Sequence, residues 1–256
     1  MKEKKKRIEI IDALRGLAVV LMVIHHTLYN FVEFFGAPEW LFTNPVFDVL
    51  HYIFAGLFIF LSGVSSRFSR SNIRRGLIAL ALAMGITIVT WYMEMPIWFG
   101  VLHLLGFSML LFGLTRKFWD IIPKKAAPWI FIILIAAGAL ATSYIPLTSG
   151  SLSTRNWLSL LGWWQPVAQN ADFSLLPWDK GFVFVSFDYF PLLPWIFVFM
   201  LGTWAGIYIR DRKLPGWFYE ADPPVFPAIG RKSLFIYVAH QPVIYGVMMG
   251  VKYLLR

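Results

Sequence analysis

Three observations predict an all-α, polytopic membrane helix bundle. Of the 256 residues, 58% are apolar and only 14% charged, which excludes a water-soluble globule. Seven apolar stretches each run to about 20 residues, the length that crosses roughly 30 Å of hydrocarbon. The basic residues gather where those stretches end, and 12 Trp, 10 Tyr and 24 Phe suit belts at two lipid interfaces as well as helix packing. The absence of cysteine excludes disulfides, thiolate metal sites and cysteine nucleophiles.

The spans are expected near Ile10 to Phe31, Val46 to Ser66, Gly76 to Met93, Ile97 to Leu114, Pro128 to Ile145, Phe190 to Ile209 and Ser233 to Val251. The first opens like a signal peptide, a basic segment before an apolar one. It contains Asp12, Arg15, His25 and His26, however, and no small-residue cleavage site follows, so it reads as a retained helix. Charge then sorts the junctions. Lys2 to Arg7, Arg67 to Arg75, Arg116 to Lys125 and Arg210 to Lys232 hold 18 of the 23 basic residues, and all four fall on one side if the N-terminus is cytoplasmic. This sidedness accounts for most of the net charge of +9, so no nucleic-acid partner is expected. Pro146 to Tyr189 then lies outside. Its Trp157, Trp163, Trp164 and Trp178 suggest a segment lying on the membrane, either an acceptor-binding lid or an interfacial anchor. With no internal repeat and no second domain, residues 1–256 read as one transmembrane domain in a bacterial cytoplasmic (plasma) membrane.

All five histidines fall inside predicted spans, where ionisable groups are costly and are functional candidates by default. The competing reading is a buried histidine bonded to a neighbouring helix. At about 1.5 Å per residue, His26 sits roughly 24 Å up the first span, and His51 and His103 enter from the outer side to a similar level. Asp188 caps the outer end of span six. Were the helices packed in a ring, these three imidazoles and the carboxylate would line one outward cavity. Arg15 and His26 lie eleven residues apart, which returns a helix to within roughly 20° of its starting direction. Asp12 shares their face and can pair with Arg15, whereas His25 points elsewhere and reads as a packing or interhelical hydrogen-bonding residue. His240 precedes Gln241 and Pro242, and that proline frees a backbone acceptor or kinks the helix. Arg67, Arg70, Arg74 and Arg75 suit phosphates, although positive-inside sidedness supplies such arginines too. No metal site is expected, since His25 and His26 diverge on a helix.

The run from Arg7 through Asp12, Arg15 and Gly16 to His25 and His26 resembles the opening of transmembrane acyltransferases. It resembles most nearly the bacterial branch of the heparan-α-glucosaminide N-acetyltransferase catalytic-domain family, and it is similar to the acyltransferase-3 proteins, whose first helix carries an arginine, ten residues and a histidine. Phe99 to Gly106, Asp188 to Trp195, and Gly230 to Leu234 with Tyr237, His240, Gln241 and Pro242 resemble the same group, in the same order.

That resemblance implies transfer of an acyl group, usually acetyl, from cytoplasmic acetyl-CoA or another acyl-CoA to a sugar or similar acceptor across the membrane. The reading of the residues is compatible with that: Arg15, Arg67, Arg74, Arg75 and Arg231 would hold the donor's phosphates, and His26 would act as general base. His103 and Asp188 would orient the acceptor or tune the base, and His51, His240 and Tyr29 would contact substrate. Direct transfer and an acyl-histidine intermediate both stay open, as do N- and O-acylation and a homodimer. Membrane lipids are the remaining expected partners. The rival is a proton-coupled transporter or flippase, which also uses intramembrane histidines with a carboxylate.

Overall fold

In a computed structural model, described for residues 7–42, 44–93, 96–144, 158–162, 186 and 188–254, the chain is helical, with no strand among the described residues. The long helices are α1 (Glu9–Phe35), α2 (Pro45–Ser66), α3 (Asn72–Tyr92), α4 (Val101–Trp119), α5 (Ala127–Tyr144), α6 (Leu192–Arg210) and α9 (Ser233–Leu254). Two short helices, α7 (Gly216–Glu220) and α8 (Phe226–Arg231), fill the junction before α9. Six of the long helices are long and apolar enough to cross a membrane, and α5 is a shorter apolar helix over Ala127–Thr142. The protein is a multi-pass membrane protein. The tryptophan-rich segment lies mostly outside the described residues, including Trp157, Trp163, Trp164 and Trp178.

Local chemistry sets the helix ends. Gly36, at φ 63°, stops α1 in the left-handed conformation and donates its N–H to the Val32 carbonyl at 3.1 Å. The fourth helix starts later than its hydropathy predicts, because Gly100 is extended at its N-cap and the Ile97 N–H is taken by Thr90 Oγ1 at 3.1 Å. In α6, Leu193 is non-helical at φ −97° and ψ 135°, the conformation that a following proline imposes. Within α9, Pro242 has no N–H to give the Val238 carbonyl.

The chain divides into two compact units. The first comprises Met1–Leu61 and Asp211–Arg256, the second Ser62–Arg210, with α2 running from one into the other. In the first, α1 packs against α8 and α9. A Cβ on Gly16 would stand 2.1 Å from the Phe226 carbonyl oxygen, and one on Gly230 1.7 Å from that of Asp12, so α8 rests backbone to backbone on α1. In the second, α3 packs on α4, and α6 packs on α5 and α4. Phe112 and Phe199, both fully buried, meet edge to face at 6.4 Å.

The glycine crossing yields a stability test. Gly16→Ala should lower the melting temperature in detergent by the equivalent of about 1–3 kcal/mol of overpacking. Gly246→Ala, with nothing within 4 Å of the added carbon, should stay within about 1 kcal/mol of the parent. Equal melting temperatures for both variants would contradict the close approach.

Candidate functional site

In the first unit, α1, α2 and α9 bring four of the five histidines into one run of touching rings. His51 stacks on His25 at 4.3 Å between centroids, His25 meets His26 edge-on at 5.7 Å, and His26 lies 5.0 Å from His240. Tyr237, one turn before His240, stands 5.7 Å from it and stacks on Phe58. Tyr29 packs on Phe42 at 4.9 Å, and Phe42 also touches His25. His25, read from the sequence as a packing or interhelical residue, stands between His51 of the next helix and His26. The adjacent His25–His26 pair was the available signal, since two neighbouring imidazoles on a helix serve two different neighbours.

The hydrogen bonding of His240 fixes its tautomer. Its Nδ1 stands 2.6 Å from the Tyr237 carbonyl oxygen, which can only accept, so Nδ1 carries the proton and Nε2 the lone pair. That Nε2 is buried and makes no hydrogen bond among the described residues. One residue on, Gln241 accepts a 2.9 Å bond from the Asn30 amide, which joins α9 to α1 beside the ring pair. Toward the other end of α1, Arg15 pairs with Asp12 at 3.4 Å, as their spacing predicts, and Arg231 on α8 pairs with Glu9 at 2.8 Å.

The second unit holds His103, Asp188 and the remaining predicted arginines. His103 Nδ1 accepts the Gly100 N–H at 3.3 Å, so its Nε2–H faces Thr87 Oγ1 at 3.1 Å, and the Thr87 hydroxyl donates to the Ile97 carbonyl. Both ring nitrogens are engaged, and the imidazole fastens α4 to α3. The Asp188 carboxylate packs against Gly100 at the start of α4, where helix N–H groups favour negative charge. Beside it, the half-buried Tyr189 hydroxyl donates to the Ser159 carbonyl, and partial burial pushes that phenol's pKa up.

Arg67 is a buried lock. Its Nε donates to the Thr203 carbonyl at 2.9 Å, its Nη1 pairs with Asp120 at 2.5 Å, and the guanidinium lies 4.8 Å over the Phe112 ring. Burial lowers its pKa, opposed by Asp120. The signal for this lock was Asp120, the one acid in the basic junction Arg116 to Lys125. Arg74 and Arg75 occupy the first turn of α3, where Ser71 caps the Arg74 N–H and the helix dipole disfavours cations. Their placement therefore answers to membrane sidedness or to an anion, not to the helix. Among the described residues, no three histidines or carboxylates converge as metal ligands.

The family model for the catalytic region of heparan-alpha-glucosaminide N-acetyltransferase matches residues 7–242 of this chain. The match takes in all four ring-contacting histidines and every predicted arginine. No curated protein and no solved structure matches the chain.

The lock at Arg67 predicts that Arg67→Lys is not conservative. A lysine keeps the charge but cannot fork between Asp120 and the Thr203 carbonyl, so thermal unfolding should show a loss of about 1–3 kcal/mol. An unchanged melting temperature would show that the fork contributes nothing.

Proposed function

Because this chain belongs to the heparan-alpha-glucosaminide N-acetyltransferase catalytic family, a family of membrane acetyltransferases, we propose that it transfers an acetyl group from cytoplasmic acetyl-CoA to an amine or hydroxyl of a sugar-like acceptor at the outer face. The observation that carries this reading is the His26–His240 pair on α1 and α9. The Tyr237 carbonyl holds the proton of His240 on Nδ1, so that ring keeps a basic nitrogen in a buried site 5.0 Å from His26.

In the proposed reaction the acceptor N–H or O–H is activated by His26, which takes the proton as the acceptor attacks the thioester carbonyl. The carbon–sulfur bond breaks, and the coenzyme A thiolate leaves and receives the proton. His240 packs its ring against that of His26 at 5.0 Å and so limits where the base can lie, and Tyr29 and His51 flank the acceptor side. On the donor side, Arg15 and Arg231, both in the first unit, are assigned to the phosphates of coenzyme A, with the N-terminus cytoplasmic in accord with the basic junctions. Arg67 and His103 take a different part in this scheme, because their polar atoms already hold helices together. Asp188 is assigned to positioning at the start of α4.

The unbroken run His51–His25–His26–His240 is also the arrangement a proton relay uses, and it is the one observation that favours transport. Consumption of acetyl-CoA by purified protein in the presence of amino sugars separates the two. His26→Ala should lower turnover by about 10²–10⁴-fold, the usual worth of a general base, while the protein still inserts and elutes as the parent. Arg15→Ala should raise the KM for acetyl-CoA with little change in kcat. Full turnover in His26→Ala removes that residue from the chemistry, and proton-coupled uptake into liposomes without thioester cleavage replaces the whole reading with transport.

A further inference from the structure

A second polar site lies wholly within the second unit. A pocket of about 130 Å³ opens where α2, α4 and α6 end and α5 begins. Arg67, Arg116, Lys124 and Arg210 line it, against a single lining carboxylate, Asp120. Asp120 already serves two of these cations, Arg67 at 2.5 Å and Arg116 at 3.6 Å. Trp119 and Trp204 form part of the wall, and the Trp204 indole N–H donates to the Lys124 carbonyl at 2.9 Å, which fixes both.

Helix dipoles do not explain this set. Cations complement the C-terminal ends of α4 and α6, but Lys124 precedes the N-terminal end of α5, where a cation is disfavoured. Arg67 crosses to a carbonyl of α6 instead of capping its own helix. The surroundings identify the kind of ligand. Phe118, Ile121 and Trp129 are 67–75% exposed on the same stretch of chain, so large apolar side chains stand outward next to a basic, tryptophan-walled pocket at the end of membrane-crossing helices. Basic pockets between such helices suit anionic headgroups, and the neighbouring apolar surface suits acyl chains.

We propose that this pocket binds a phosphate ester, the headgroup of an anionic phospholipid, whose acyl chains lie along Phe118, Ile121 and Trp129. The phosphate would be held by Arg116, Lys124 and Arg210, with Arg67 fixed behind them by Asp120 and Thr203. This site shares no residue with the histidine run and does not depend on the reaction assigned to it.

Native mass spectrometry of the purified full chain with phosphatidylglycerol and phosphatidylcholine tests this. The unmodified protein should retain phosphatidylglycerol over phosphatidylcholine by roughly fivefold or more, the effect of about one cation near the headgroup. The variant R116Q/K124Q/R210Q should lose that preference. The K117Q/K125Q variant, which removes two neighbouring cations that do not line the pocket, should keep it. No preference in the unmodified protein overturns the proposal, a result independent of any variant's folding. So does equal loss in both variants, which would assign the effect to general surface charge. Displacement of the lipid by inorganic phosphate or coenzyme A at equimolar concentration would also overturn it, by assigning the pocket to a free phosphate ligand.

Discussion

Between helices that lie in hydrocarbon, apolar side chains gain little by touching one another in place of lipid, and this constraint governs the structure. Partner choice then falls to backbone approach and to polar groups that hydrocarbon cannot satisfy. Both devices recur here. Gly16 and Gly230 let α8 settle on α1, and Gly63 does the same against Phe199, where a Cβ would stand 2.1 Å from the carbonyl oxygen. Asn30 with Gln241 and His103 with Thr87 each commit one helix to one neighbour, and Arg67 ties the end of α2 both to Thr203 on α6 and to Asp120 at the end of α4.

The same constraint separates two kinds of histidine that hydropathy treats alike. His103 has each ring nitrogen in a bond to its surroundings, to the Gly100 N–H and the Thr87 hydroxyl. His240 has one nitrogen tied to the carbonyl of Tyr237 and the other without a hydrogen bond among the described residues. Counting ionisable residues inside spans finds both. Only the bonding pattern tells them apart.

How much was legible in the sequence follows from the range of each signal. The helices were legible because a 20-residue apolar run is a local property, and so was the Asp12–Arg15 pair, three residues apart on one helix. The shift of α4 was not, because it depends on Gly100 and on a hydroxyl of the preceding helix. The short helices α7 and α8 were missed because five or six residues carry no usable periodicity. The ring run needed His25, whose partner His51 sits on the next helix, and the Arg67 lock needed Thr203, 136 residues away. Contacts of that separation leave no pattern in one sequence, although their participants do stand out as polar residues in apolar company.

The Asn30–Gln241 bond also has a history in time. Its partners are separated by 211 residues, so when α1 enters the bilayer its asparagine has no Gln241 to meet. At synthesis rates of about 5–20 residues per second, that wait lasts on the order of 10–40 s. The second unit, contiguous from Ser62 to Arg210, is complete before α9 emerges. The histidine run, which needs His240, is therefore assembled late, so the candidate site comes into being only after the second unit has been made.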